Sequence, residues 1–138
     1  MSLRRITYGL LTTKPALTAL VPLGQWYSRG GTLDTPPTPY VVLAWLGTLT
    51  TSGRAVPQLL DVYVHDRVGD YTRIDTVLGG PLLGGGIYEV LANTTHYAHP
   101  GVPGSLVQAD YLGTSGDLTD PEGKTGFMFS SWKLLPGG

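Results

Sequence analysis

The chain has 138 residues, with 20 glycines, 11 prolines and no cysteine, and only 14% of its residues are charged, against about a quarter in ordinary soluble domains. The lack of cysteine excludes thiol catalysis, cysteine-ligated zinc, iron–sulfur clusters and a disulfide-built scaffold. The net charge is −1, and no basic cluster is dense enough for a phosphate-binding footprint, which argues against nucleic-acid recognition. The composition predicts one folded domain over residues 1–138, poor in charge and rich in loops.

The N-terminal part of the chain predicts two short helices. Leu3, Ile6 and Leu10 recur at spacings of three and four, which is the pattern of an amphipathic helix. Pro15 suits the first turn of a second helix over residues 15–21. The proline- and glycine-rich residues 22–39 predict a long ordered loop without regular structure.

Two strands are predicted next, joined by a hairpin connection over residues 47–57. Residues 40–46 form an apolar run typical of a strand covered on both faces. This run is far shorter than the ~20 residues of a membrane helix, which favours a soluble protein without membrane contact. Residues 59–66 alternate between apolar and polar side chains, the clearest strand pattern in the chain.

The second half predicts one helix followed by three strands. The helix lies within residues 69–83 and is ended early by Gly79, Gly80 and Pro81. The strands are predicted over residues 87–98, 105–113 and 126–134, with an acidic turn region before the last. This order predicts an α+β fold, a mostly antiparallel sheet of about five strands with two or three short helices packed on one face.

No motif predicts catalysis. His96 and His99 are three apart on a predicted strand, so their side chains would point to opposite faces rather than share a metal. His65 beside turn carboxylates is interpreted as structural. The glycine-rich residues 79–86 lack the lysine and serine or threonine of a phosphate loop, and residues 117–123 lack the EF-hand ligand pattern. The sequence therefore predicts no enzyme, no catalytic residue, no cofactor and no metal site.

Aromatic side chains are the more informative group. Because aromatic side chains are large and apolar, we expect most of them to lie in the core. Those on the opposite face of a strand must be covered by some other surface. Low charge together with two-faced strands favours surfaces buried against neighbouring subunits. The candidate contact residues are Trp26, Tyr27, Trp45, Arg54, Tyr111 and Trp132, and the acids singled out in the turn region are Asp117, Asp120 and Glu122.

The order of several segments resembles the tail terminator, or tail-completion, proteins of long-tailed bacteriophages. The similarity covers most of the chain and rests on segment order and length, since each motif alone is degenerate. Two departures are the long proline-rich loop over residues 22–38 and the Gly79-Gly80-Pro81 interruption. The matching pieces are Leu-Leu-Thr-Thr-Lys-Pro-Ala-Leu-Thr-Ala-Leu-Val (10–21), Thr-Pro-Tyr-Val-Val-Leu (38–43), Leu-Asp-Val-Tyr-Val-His-Asp (60–66), the helix between residues 71 and 83, and the acidic segment 117–126.

This resemblance implies a structural virion protein without catalysis or cofactor. It implies a homo-hexameric ring at the head-proximal end of the tail tube, which ends tube polymerisation and joins the tail to head-completion or stopper proteins. The expected partners are other copies of the chain, the major tail-tube protein and the head-completion or stopper protein. DNA would pass through the ring without sequence-specific binding. The expected location is the virion tail, and the host cytoplasm during assembly.

Head-to-tail closure of a ring requires two different, complementary surfaces on each subunit. The strand edges and the loops 22–38 and 47–57 are the predicted neighbour and tube contacts, and the acidic turn is the predicted channel lining, where negative charge repels DNA. Two alternatives stay open. One is another neck protein, a head-completion or stopper protein. The other, from a different class, is a small-ligand binding module with Trp26, Trp45 and Trp132 around a pocket.

Overall fold

The computed structural model describes residues 2–28, 36–48, 56–69, 71–122 and 124–137. Its order of elements alternates between helical and strand segments. The helices are α1 (Ser2–Thr12), α2 (Pro15–Thr18), α3 (Thr72–Leu78) and α4 (Gly86–Ala92), with a short 3₁₀ turn at Leu23–Gln25. The strands are β1 (Trp26–Ser28), β2 (Tyr40–Thr48), β3 (Gln58–Arg67), β4 (Ser105–Thr114), β5 (Leu118–Asp120) and β6 (Thr125–Gly137).

The strands form one six-stranded sheet in the order β1-β2-β3-β6-β4, with β5 also paired to β6. The β1–β2 pair is parallel and the remaining pairs among the described strands are antiparallel. The α+β prediction is confirmed. β2 and β3 are antiparallel neighbours, with Thr48 opposite Gln58. The predicted hairpin connection over residues 47–57 falls mostly on residues 49–55, which lie outside the described ranges.

The core lies between one face of the sheet and the helices. Leu60, Val62 and Val64 of β3 have no exposed surface and belong to the same apolar cluster as the buried residues of α1, α3 and α4. In α1 the predicted stripe of Leu3, Ile6 and Leu10 is buried, and Leu11 joins it. Burying these side chains against the sheet supplies the stability that such short helices lack by themselves.

The predicted strand over residues 87–98 is wrong. Residues 86–92 form α4, and Ile87 and Leu91, four residues apart, are both fully buried. The β-branched and aromatic residues of this segment favour a strand by local propensity, but the helical spacing buries Ile87 and Leu91 together on one face. Tertiary packing therefore decides the conformation.

The loop prediction for residues 22–39 is wrong in part, because Trp26–Ser28 adds a parallel strand to the sheet edge. Trp26 is buried, and its indole Nε1 donates a hydrogen bond to the Val21 carbonyl at 2.8 Å. This hydrogen bond ties the start of β1 to Val21, three residues beyond the end of α2.

The predicted helix within residues 69–83 is confirmed as α3, which spans Thr72–Leu78. It ends where Gly79 adopts a φ of 65°.

Candidate functional site

The face of the sheet opposite the helices carries a continuous group of aromatic side chains. Alternation along the strands places Tyr63 and His65 of β3 on this face, directly opposite Phe129 and Phe127 of β6. Tyr40 lies opposite His65, and Tyr27 reaches the face from β1. We call these six residues the aromatic face: Tyr27, Tyr40, Tyr63, His65, Phe127 and Phe129.

The rings of the aromatic face contact one another in sequence across the sheet. His65 stacks on Tyr40 with a centroid distance of 4.5 Å and on Phe127 with 4.9 Å. Tyr63 and Phe129 lie 4.9 Å apart. The apolar core cluster lies on the other side of the sheet, and within the described ranges no helix covers these rings. Aromatic side chains of this kind are enriched at protein interfaces, which makes the face a candidate contact surface.

His65 is held neutral within this face. Its Nδ1 lies 2.9 Å from the Thr125 hydroxyl oxygen in a hydrogen bond. Burial lowers the pKa of His65 to about 4, against the opposing influence of the Asp120 charge. Burial also raises the pKa of Tyr40. The six side chains of the aromatic face are therefore uncharged at neutral pH, so covering these rings themselves desolvates no ion.

The acidic turn borders the aromatic face, because Leu118 of β5 lies opposite Phe127 and Asp120 lies opposite Thr125, whose hydroxyl is bonded to His65. Asp117 and Glu122 are exposed and Asp120 is half-buried. The turn is shaped by β5 and by a hydrogen bond from the Glu122 backbone N–H to Asp120 at 3.1 Å. Its position beside an uncovered face is new information, because the sequence alone predicted the turn but not its neighbour.

The three tryptophans named as candidate contacts are largely buried within the chain. Trp26, Trp45 and Trp132 belong to the core, with exposed fractions of 4%, 8% and 0%, so their side chains offer almost no surface to a neighbour. None of the three lines either of the two grooves described below. The cause is strand alternation: Trp45 and Trp132 share the helix-facing side with Leu60 and Leu134.

The remaining predicted contact residues are distributed over both faces. Tyr27 lies on the aromatic face. Tyr111 is half-buried and packs on Trp132 and Tyr88 at centroid distances of 5.3 and 5.1 Å. Arg54 lies outside the described residues. Tyr63, His65, Phe127 and Phe129 are partly exposed on this face and were not among the predicted contacts, although their two-residue spacing is the signal that places them together. Tyr40 completes the group but is itself 7% exposed.

Two grooves lie on the helical side. One, of about 870 Å³, runs between α2 and α4 and is mostly apolar, with Leu17, Leu20, Val90 and Tyr97 among its lining. The other, of about 500 Å³, lies beside α1 and is lined by Arg4, Arg5, Tyr8 and His99 among others. We call the first the α2–α4 groove.

The histidines show no arrangement typical of metal binding. The Tyr97 hydroxyl and His99 Nδ1 share a hydrogen bond of 2.8 Å. The His99 imidazole also packs against Gly9 of α1, where an added Cβ would lie 2.6 Å from the ring. His96 is exposed on a turn with a φ of 58°. In the described part of the chain no group of three metal-ligating side chains comes together. Among these residues, none of the helices is both long and apolar enough to cross a membrane.

Comparison with known proteins identifies the fold. No protein-family model matches the sequence, and no curated protein does. Among solved structures, a chain described as "Virion of native gene transfer agent (GTA) particle" is similar, with a TM-score of 0.68 and 14% sequence identity. The similarity covers 99% of this chain and 96% of that chain. At this identity the likeness shows that the two chains share a fold over nearly their whole lengths.

Proposed function

We propose that this protein is a structural component of a phage-like virion, and specifically a tail terminator that caps the head-proximal end of a tail tube as a homo-hexameric ring. The observation that carries the proposal is the fold shared with a chain of a gene transfer agent virion over 99% of this chain. The ordered segments that resemble tail terminators support the finer role. Shared fold alone does not assign a function, so the contact surfaces form the second line of argument.

A capping ring needs surfaces that are covered only after assembly. The aromatic face has this character, being uncharged, half-buried and uncovered among the described residues. In this proposal it packs against the neighbouring subunit or the tube, and the partners are the chain itself, the major tail-tube protein and a head-completion or stopper protein. The protein acts without catalysis or cofactor, in the tail of the virion.

The ring proposal is tested by native mass spectrometry and electron microscopy, with and without a tail-tube protein from the same phage-like particle. Rings seated on tube ends are expected, and tubes assembled with the protein should stop growing at that end. A chain that stays monomeric even with tail-tube protein refutes the proposal. Replacing Tyr63 and Phe129 by serine should abolish seating, whereas Leu23→Ser, which changes a 57% exposed leucine elsewhere, should not.

The acidic turn provides the proposed channel lining, where Asp117, Asp120 and Glu122 repel the phosphates of passing DNA. Replacing them by Asn, Asn and Gln should leave ring assembly intact and alter the release of DNA through the tail. Loss of ring assembly in this variant counts against a position at the channel.

Another neck protein is the nearest alternative, and binding separates the two roles: a terminator binds tube ends, and a stopper binds the portal side. The α2–α4 groove, at about 870 Å³, is within the size range of small-ligand sites and favours a binding module as the alternative from another class. Saturable binding of a small apolar ligand to a stable monomer would support that module and contradict the ring.

A further inference from the structure

We propose that Asp61, on the side of the sheet that carries the aromatic face, binds an arginine side chain of a different protein that packs there. This inference rests on the proposed function, in which a partner covers the aromatic face, and it names the chemistry of that partner. Leu60 and Val62 on either side of Asp61 are buried in the core. Because side chains alternate along a strand, Asp61 points to the opposite side of the sheet, as Tyr63 does.

Asp61 is a buried carboxylate without a compensating charge. Its exposed fraction is 8%, and the Ser131 hydroxyl donates a hydrogen bond to its Oδ1 at 2.6 Å. Asp66, the other buried acid of the described ranges, is held by Arg73 in an ion pair. Asp61 forms no ion pair with any described residue. Burying a carboxylate is costly unless a cation pairs with it, so the compensating charge is left for a partner to supply.

The charges around Asp61 determine what kind of partner fits. Lys133 lies on the same side of the sheet, but its Nζ is paired with Asp110 at 3.8 Å. Two copies of the chain packed through this surface would bring two Asp61 carboxylates together, and like charges repel. In the described part of the chain no group of three metal-ligating side chains includes Asp61. The occupant is therefore a cationic side chain on a different protein, which in the proposed role is the tail-tube protein.

The rings beside the carboxylate favour arginine over lysine. Tyr63 and Phe129 lie opposite each other, two residues along their strands from Asp61 and Ser131, a distance of about 7 Å. Both rings are half-buried, and their centroids are 4.9 Å apart. A planar guanidinium can stack on such a ring while its N–H groups reach a carboxylate, whereas the ammonium of lysine is a compact point charge. Apolar rings and an acid side by side thus match an arginine.

Binding of a single arginine side chain to the full chain tests the inference. The probe is N-acetylarginine amide, added to ¹⁵N-labelled protein at neutral pH, and the corresponding citrulline amide is its uncharged counterpart of similar shape. We expect saturable shifts of the amide signals around Asp61 and Ser131 with the arginine probe, and none with citrulline. Equal responses to the two probes overturn the inference.

Asp61→Asn separates a binding role from a structural one. The amide keeps the shape of the side chain and an acceptor for the Ser131 hydroxyl, but it removes the charge. The melting temperature should stay the same or rise, because an uncompensated buried charge is lost, and binding of the arginine probe should weaken roughly tenfold. Glu89→Gln, which neutralises an exposed acid of α4, is the matched control and should bind like the unmodified chain. A lower melting temperature for Asp61→Asn, or unchanged binding, overturns the inference.

Assembly on tail tubes keeps this inference apart from the proposed function. Asp61→Asn should raise the concentration needed for seating on tube ends roughly tenfold. Seating that Asp61→Asn leaves unaffected overturns the inference while the terminator role stands. Arginine binding by a chain that never forms rings on tubes supports the arginine site and overturns the proposed function. Self-association of the unmodified chain that Asp61→Asn abolishes would make a second copy the occupant and overturn the choice of partner.

Discussion

His65 makes the stability of the fold depend on pH in a predictable direction. Burial between Tyr40 and Phe127 lowers the pKa of His65 to about 4, whereas the unfolded side chain titrates near 6.5. The unfolded chain therefore binds a proton between these two values that the folded chain does not. Stability contributed by the neutral imidazole is complete above pH 6.5 and is lost as the pH falls toward 4.

The size of this effect follows from the two pKa values. Full protonation costs on the order of 3 kcal/mol at 1.36 kcal/mol per pKa unit, and about 2 kcal/mol is already lost at pH 5. This is a large part of a typical unfolding free energy of about 5–15 kcal/mol. Replacing His65 by phenylalanine keeps a ring in the stack and removes the titration.

Urea denaturation between pH 7.5 and pH 5 measures the effect. The unmodified chain should lose about 2 kcal/mol more than the His65→Phe variant over this interval. His96→Asn, which removes an exposed imidazole from a turn, is the control for losing a histidine elsewhere. If the free-energy difference between the unmodified chain and His65→Phe stays constant over the whole interval, the argument from burial is refuted.

Three further predictions concern the core and its connections. Arg73→Met should cost about 2–3 kcal/mol at pH 7, because it removes the ion pair of the fully buried Asp66 carboxylate and leaves it only the hydrogen bond from the Arg67 backbone N–H. Burial raises the pKa of Asp66, and hydrogen bonds from Arg73 and Arg67 hold it below the usual value. The cost should therefore shrink at acid pH, where the carboxylate is protonated, which denaturation at pH 7 and pH 3 measures. Trp132→Ala should lower the free energy of unfolding by about 3–5 kcal/mol, and a loss under 1 kcal/mol would contradict its burial. Gly86→Ala should lower the melting temperature more than Gly84→Ala, since both have positive φ but only Gly86 lacks room for a Cβ; equal shifts would refute this reading of the loop.

The central strands were predictable from the sequence because their pattern is local. The alternation around Leu60, Val62 and Val64 identifies β3 and its buried face without knowledge of any partner strand. The stripe of Leu3, Ile6 and Leu10 does the same for α1, and Gly79 marks the end of α3. In these segments the periodicity of the side chains and the burial they receive agree.

The segments that the sequence did not predict are those where distant residues decide. Trp26–Ser28 is a strand only because the β2 edge pairs with it, and Ile87–Leu91 is helical because the core accepts both residues on one side. The candidate contact surfaces follow the same rule. Aromatic content predicted that some rings need a cover, but the alternation of each strand sent Trp45 and Trp132 to the core and Tyr63 and Phe129 to the open face.

The sequence by itself determined the fold class, the central strands and the first helix, because apolar periodicity and glycine or proline breaks act over a few neighbouring residues. Only the tertiary structure decided which aromatic residues are covered, that the acidic turn borders the aromatic face, and that Asp61 is buried on that side of the sheet. These properties depend on strand register and on which elements pack together, and both are set by contacts between residues far apart in the chain.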